Sequence, residues 1–221
     1  MAERVSRAAA AGFRRVEFWG TRDTELAPLE AAIHESGVTV TAFLSEPAVT
    51  HPDFLSGLAA ACEVAPRLKA QNLIVLAGEQ PGDLSGALRL AAPIAAEHHV
   101  GLLLEPLNTV DHPGYALSST LDGLAIVRAV DQPNVRLLYD MYHSVVMGEE
   151  PSAVLAGAEH LVGHVHIADA PGRHEPGTGA VDWPRQLAAL REAGYSGALG
   201  LEFMPTRETM ESLVYTLELT G

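Results

Sequence analysis

The stretch GHVHIADAPGRHEPGTG, residues 163–179, begins with the composition of a buried β-strand and ends as a loop rich in glycine and proline. His164 and His166 alternate with apolar residues in the strand part, and Asp169 and Arg173 stand in the loop part. Loops that follow strands carry functional groups more often than cores do. A short apolar strand with a polar end recurs along the chain, and this recurrence defines the fold.

Seven short apolar runs are bounded by Gly, Pro or Asn, as buried strands are. They are RVEFW (15–19), VTVTAFL (38–44), NLIVLAG (72–78), GLLLEPL (101–107), VRLLYDM (135–141), GHVHIAD (163–169) and GALGLEF (197–203). Alanine- and leucine-rich stretches with helical spacing lie between them, so strand and helix alternate about every 30 residues, as in parallel βαβ units. A doubly wound sheet would carry a glycine fingerprint after its first strand, which is missing here. We therefore predict an α/β fold, a (β/α) TIM barrel of parallel strands, as a single domain over residues 1–221.

The chain begins with a helix-like segment, AERVSRAAAAG, where an eight-stranded barrel would have its first strand. Seven strands leave an open edge, whose unpaired N–H and C=O groups need a cover. The N-terminal helix, a seven-stranded closure or a second copy of the chain could each supply it. We expect a homodimer or higher oligomer.

The composition of the chain limits which partners it is expected to bind and in which cell compartment it is expected. The formal charge of −14 disfavours binding to nucleic acid over a broad surface, although it leaves room for a small anionic substrate. A single cysteine, Cys62, excludes an intrachain disulfide and is expected to be buried. The N-terminus lacks the apolar core of a signal peptide, and no apolar run is long enough to cross a bilayer. These features predict a cytoplasmic protein with no membrane association.

Each of the last four strands ends with one potential metal ligand. They are Glu105 in LLLEP, Asp140 in LLYDMYH, His166 in HVHIAD and Glu202 in GLEF. The C-terminal ends of parallel barrel strands converge on one face, where active sites lie. Three carboxylates and one imidazole suit Mn²⁺ or Mg²⁺, with Co²⁺ as a further candidate. His164 shares the strand face of His166, and we expect it in the core or as a hydrogen-bond partner.

The chain resembles the xylose isomerase-like TIM-barrel superfamily, most closely its hydroxypyruvate isomerase branch. The resemblance lies in GFRRVEFW, LLLEPLNTVDHPGYALSST, NVRLLYDMYHSVVMGE, GHVHIADAPGRHEPGTGAVDWP and GYSGALGLEF, which run over nearly the whole chain. It implies that Glu105, Asp140, His166 and Glu202 bind one divalent ion and that the two glutamates transfer protons. At the third ligand the hydroxypyruvate isomerase branch commonly has Gln, whereas His166 is like the ketose epimerases.

The resemblance also implies three substrate contacts. His143 follows Asp140 by three residues, Arg173 follows His166 by seven, and Asp111 follows Glu105 by six. Arg173 could pair with a substrate carboxylate through two N–H groups. The other polar loop residues are expected to form hydrogen bonds within the loop; they are Asp169, His174 and Glu175.

These residues predict a metal-dependent isomerase of a small hydroxy-carbonyl or sugar substrate, which moves a carbonyl between adjacent carbons through an enediolate. Glu105 and Glu202 would flank the substrate as the catalytic base and acid. The alternatives are a ketose 3-epimerase, a lyase of the same superfamily, a metal-dependent endonuclease, which the acidic charge disfavours, and an inactive binding barrel.

Overall fold

The computed structural model describes residues 1–158 and 160–220, apart from the side chains of residues 214, 215 and 218–220. Its helices and strands alternate along the chain. They are α1 (Ala2–Ala10), β1 (Arg15–Phe18), α2 (Leu26–Ser36), β2 (Thr39–Ser45), α3 (Phe54–Val64), β3 (Ala70–Leu76), α4 (Leu84–Glu97), β4 (Gly101–Glu105), α5 (Thr120–Val130), β5 (Val135–Asp140), α6 (Met141–Val146), α7 (Pro151–Val154), β6 (Val162–Ile167), α8 (Trp183–Glu192), β7 (Leu199–Leu201) and α9 (Thr209–Thr220). The seven predicted strands and the N-terminal helix are confirmed.

The strands follow one another in chain order, β1 to β7, in one sheet. The pairs β1–β2, β2–β3, β5–β6 and β6–β7 are all parallel. A doubly wound sheet would reverse its strand order part of the way across. The order therefore excludes that alternative and confirms the predicted α/β fold of the (β/α) barrel type.

Residue contacts divide the chain into two compact units, residues 1–104 with 129–136, and residues 105–128 with 137–221. The prediction of a single domain stays a prediction. In the first unit, the centre of β2 is fully buried at Val40, Ala42 and Phe43. Phe18 on β1 stacks on Phe43 with ring centroids 5.6 Å apart. Such continuous burial explains why β2 reads as an apolar run and not as an alternating strand.

The predicted burial of Cys62 is confirmed, because this residue lies on α3 with no exposed surface. Burial raises the pKa of its thiol to about 11. It therefore behaves as a small apolar residue of the core of the first unit.

The second unit has a core formed by β5, β6 and the helices beside them. Tyr139, Val165, Ile167 and Trp183 are each at most 2% exposed in this cluster. Burying one large apolar side chain contributes about 2 kcal/mol. The rigid core holds the C-terminal ends of β5 and β6, where two of the four candidate ligands lie.

Within the described residues, none of the helices combines the length and the apolar content needed to cross a membrane.

Candidate active site

All four candidate ligands belong to the second unit, and each stands where a strand ends. Glu105 and Asp140 are the last residues of β4 and β5, His166 is the next-to-last residue of β6, and Glu202 directly follows β7. The β5–β6 register pairs Asp140 with His166, and the β6–β7 register pairs His166 with Gly200. Side chains alternate along a strand, so Glu202, two residues after Gly200, shares its face. Strand register thus brings the side chains of Asp140, His166 and Glu202 together.

One ligand atom from each of these four residues lies within 4.8 Å of the others. His166 Nδ1 is 2.9 Å from a carboxylate oxygen of Glu202 and 3.7 Å from one of Glu105. Ligand atoms around an octahedral ion at 2.1 Å stand roughly 3 to 4.2 Å apart. The spacing of the cluster therefore fits one divalent ion, held by hard oxygen donors and one imidazole.

The charge of the cluster also fits a divalent ion. Arg173 Nη2 donates hydrogen bonds to Asp140 Oδ2 at 3.0 Å and to Glu202 Oε2 at 2.6 Å. Metal binding requires deprotonated carboxylates, and in that form the three carboxylates and one guanidinium carry a charge of −2, which a divalent ion would neutralise. Asp140 serves two purposes, because its Oδ1 accepts the backbone N–H of Tyr142 and caps α6. That bond turns Oδ2 toward Arg173.

Glu105 is 6% exposed, and burial raises the pKa of its carboxyl to about 7. The hydrogen bond and positive charge of His166 lower this pKa in part, while the carboxylates of Glu202 and Asp140 raise it. A carboxyl with a pKa near neutrality can both accept and return a proton at physiological pH.

Arg173 lies on the loop after β6, in the left-handed backbone region with φ 55°. Burial lowers the pKa of its guanidinium, but the carboxylates of Asp140 and Glu202 more than offset this effect, so the pKa stays raised. Its Cζ lies 5.3 Å from the centre of the Tyr142 ring, within the range of a cation–π contact. Its Nε is buried and has no hydrogen-bond partner among the described residues.

His143 lies on α6 and is 3% exposed. Its Nε2 is 3.6 Å from Asp140 Oδ2, and its Nδ1 accepts the backbone N–H of Asn108 at 3.1 Å. Burial lowers the pKa of its imidazole to about 4, against the opposing effect of Asp140. His143 is therefore neutral at physiological pH and lies at the edge of the cluster, and its contact with substrate stays a prediction.

Asp111 is exposed, and its carboxylate takes part in a hydrogen-bond network with two residues that sequence reasoning missed. Its Oδ2 accepts the Tyr142 hydroxyl at 2.6 Å and the Asn108 amino group at 2.9 Å. These bonds lower the pKa of Asp111. Burial, together with Asp111, raises the pKa of Tyr142 to about 12. Asn108 and Tyr142 stand within three residues of a predicted ligand, which was the one available signal for them.

The polar residues of the loop after β6 have structural partners. Asp169 accepts the Trp183 indole N–H at 3.1 Å and the backbone N–H of Gly177 at 2.7 Å. Burial raises the pKa of Asp169, but these bonds outweigh it and lower the pKa. A Cβ at Gly179 would collide with Asp169 Oδ1 and Ala170 O, so only glycine fits there. Asp169 thus holds the loop together through hydrogen bonds within it, as expected.

For the other two loop residues the expectation holds for the backbone only, because His174 O accepts the Asp169 N–H at 2.8 Å and Glu175 O accepts the Thr178 hydroxyl at 2.7 Å. His174 Nδ1 lies 2.8 Å from Met204 O. Glu175 accepts the backbone N–H of Thr206 at 2.9 Å, its hydroxyl at 2.7 Å and the Ser212 hydroxyl at 3.2 Å. The side chains of both residues therefore bind the segment after β7, which carries Glu202, while their backbone carbonyls bind their own loop. The sequence pattern did not show which neighbouring segment would supply these donors.

His164 is 1% exposed, and its ring packs edge-on against that of His166 with centroids 5.1 Å apart. This places it beneath His166 in the second unit, in agreement with the expected core position.

This site lies at the C-terminal ends of parallel strands, as in (β/α)-barrel proteins. The xylose isomerase-like TIM barrel family matches residues 5–217, and the chain belongs to this family.

Three relatives illustrate the similarity. The chain is 31% identical to the 2-oxo-tetronate isomerase of Cupriavidus necator, over 96% of this chain and 90% of the relative. It is 29% identical to the hydroxypyruvate isomerase of Escherichia coli, over 95% and 90% of the two chains. A crystal structure named AP endonuclease, family 2, from Brucella melitensis matches with a TM-score of 0.91 and 28% identity, covering 98% of this chain and 92% of that one.

Proposed function

We propose that the protein is a divalent-metal-dependent isomerase of a small hydroxy-carbonyl acid, of the hydroxypyruvate or 2-oxo-tetronate isomerase kind. The observation that carries this proposal is the convergence of Glu105, Asp140, His166 and Glu202 within 4.8 Å, with Arg173 bound to two of them. The names of the two curated relatives support the same reaction class. The net charge of −14 disfavours action on a nucleic acid.

In this proposal the four clustered residues hold one Mn²⁺, Mg²⁺ or Co²⁺ ion. When bound, the ion supplies electrophilic stabilisation of negative charge on the adjacent oxygens of the substrate. Glu105 and Glu202 form the proton-transferring pair, one removing a proton from the carbon that bears the hydroxyl and the other returning a proton to the neighbouring carbon. The hydroxyl proton passes to the former carbonyl oxygen, and proton exchange with solvent returns the two carboxyl groups to their starting states. An enediolate lies between these two transfers. Burial raises the pKa of Glu105, whereas a bound cation would lower it.

The surrounding residues orient the substrate. Arg173 offers its buried Nε–H to a substrate carboxylate while its Nη2 stays bound to Asp140 and Glu202. His143 donates a hydrogen bond from its buried Nε2 to an oxygen of the substrate. Asp111 is the third proposed substrate contact, and its carboxylate is held in place by Tyr142 and Asn108. A fixed guanidinium gives an acidic protein one local site for an anionic substrate.

Solvent-proton exchange tests the reaction class directly. Metal-loaded protein is incubated in D₂O with hydroxypyruvate, with a 2-oxo-tetronate and with ketoses, and NMR follows deuterium entering each C–H position. We expect exchange at the carbon next to the carbonyl of the acids, together with formation of the isomer. Glu105→Gln and Glu202→Gln should each reduce turnover by roughly 10²–10⁴-fold.

Glu192→Gln on the exposed face of α8 is the matched control, because it makes the same chemical change outside the cluster. More than a tenth of the wild-type rate in either cluster variant, with metal still bound, would assign the proton transfer to other groups. Exchange confined to C3 of ketoses would favour the 3-epimerase alternative. No exchange with any substrate would favour the binding barrel.

A further inference from the structure

Asn108 has no exposed surface, and its side-chain amide is oriented by backbone donors. Its Oδ1 accepts the backbone N–H of Val110 at 3.0 Å and that of Asp111 at 2.8 Å. A backbone N–H can only donate, so the atom facing these two groups must be the oxygen. The amino group of Asn108 therefore points the other way, toward Asp111 Oδ2 at 2.9 Å and His143 Nδ1 at 2.7 Å.

His143 Nδ1 consequently faces two N–H donors of the same residue. The side-chain amino group of Asn108 lies 2.7 Å away and its backbone N–H lies 3.1 Å away. A proton on Nδ1 would point at both donors and would remove the lone pair that they share. The two contacts therefore exclude the Nδ1–H tautomer and also the doubly protonated imidazolium.

The remaining ring nitrogen of His143, Nε2, must then carry the proton. It is buried, lacks a hydrogen-bond partner within the described part of the chain, and lies 3.6 Å from Asp140 Oδ2. An N–H in this position can donate to a ligand oxygen held beside Asp140. It cannot accept a proton there, because its lone pair is part of the aromatic system.

We propose that Asn108 is a positioning residue that fixes His143 as the neutral Nε2–H tautomer, so that His143 acts as a one-hydrogen donor to the ligand. The oxygen it binds must bring a lone pair, as a carbonyl, a carboxylate or an alkoxide does. This assignment leaves the exchange of carbon-bound protons to the glutamate pair. Its catalytic consequence rests on the proposed function, but the tautomer does not.

Histidine-selective ¹⁵N labelling and long-range ¹H–¹⁵N correlation NMR test the tautomer at pH 7, on the chain without added metal and with Mg²⁺. His143→Gln identifies the signals that belong to His143. We expect an unprotonated Nδ1 and a protonated Nε2 in both samples. A protonated Nδ1, a mixture of tautomers or an imidazolium in the wild-type protein would overturn the proposal. This measurement needs no substrate, so it is independent of whether the isomerase reaction is found.

Asn108→Asp tests the contribution of the side chain, because it replaces the amino donor with an acceptor oxygen. We expect a proton to appear on His143 Nδ1 in this variant. If the pure Nε2–H form persists, the side chain does not set the tautomer and the proposed role of Asn108 is wrong. Asn134→Asp, whose amino group donates to Ala92 O, is the control and should leave the His143 signals unchanged. If Asn108→Asp does not fold, the wild-type measurement still decides the tautomer.

Discussion

Replacing Glu175 with Gln tests how the loop that carries Arg173 is held. The Glu175 side chain is buried, and its carboxylate accepts three hydrogen bonds from Thr206 and Ser212. A Gln side chain keeps one acceptor for the Thr206 backbone N–H, and its amino group can donate to the two hydroxyls, which can rotate. What is lost is the charge, which strengthens each bond by roughly 0.5–1 kcal/mol. We therefore expect a loss of about 2 kcal/mol in the free energy of unfolding.

The loss should depend on pH in a defined direction. Burial raises the pKa of Glu175, but the bonds from Thr206 and Ser212 outweigh it and lower the pKa to about 2, from an ordinary value of 4.5. A depressed carboxyl pKa contributes stability that is present above pH 4.5 and is lost as the pH falls toward 2. At pH 4 roughly 1 kcal/mol of this contribution is already gone. The difference between wild type and Glu175→Gln should therefore narrow by about 0.8 kcal/mol between pH 7 and pH 4.

Thermal and urea unfolding at several pH values measure both effects. A loss of 2 kcal/mol corresponds to a drop in Tm of roughly 4–8 °C for a chain of this size. Glu192→Gln, an exposed position, should change the Tm by less than about 1 °C. Equal Tm values for wild type and Glu175→Gln at pH 7, or a difference that widens at pH 4, would refute the reasoning.

Four further predictions concern the rest of the molecule. Elemental analysis of Mn-supplemented protein should find about one divalent ion per chain, and none in the double variant Asp140→Ala with His166→Ala; binding that survives this variant would place the metal elsewhere. Arg173→Lys should lower kcat/KM by roughly tenfold or more, because an ammonium bound to Asp140 and Glu202 has no second donor nitrogen to offer the substrate; unchanged kinetics would show that the loop arginine has no part in the reaction. Cys62 should react with a thiol reagent at least ~10²-fold more slowly in the native than in the denatured state at pH 8, because its pKa is about 11; equal rates would contradict its burial. Light scattering at micromolar concentration should show a dimer or higher oligomer, and a stable monomer would contradict the expectation drawn from seven strands.

Much of the architecture could be predicted from the sequence, because it depends on local patterns of apolar residues. Strands buried on both faces must be short apolar runs, and parallel strands need a helical crossover, so the alternation itself indicates the fold. The ligands could be found in the same way. Glu105, Asp140 and His166 each interrupt or close an apolar run at its C-terminal side, where a barrel places its active site.

The contacts between these residues were decided only by the tertiary structure, because they depend on strand register and loop conformation. The β5–β6 register places Asp140 opposite His166. A shift of this register by one residue would turn the side chains of one strand to the other face of the sheet. Arg173 contacts Asp140 and Glu202 from a left-handed backbone conformation, which the sequence around it does not predict. The sequence alone thus determined which strands form and which ligand types end them. Glu175 and its partner Thr206 are 31 positions apart in the sequence, and Asn108 and His143 are 35 positions apart. At such separations no local sequence pattern shows which side chains will be in contact.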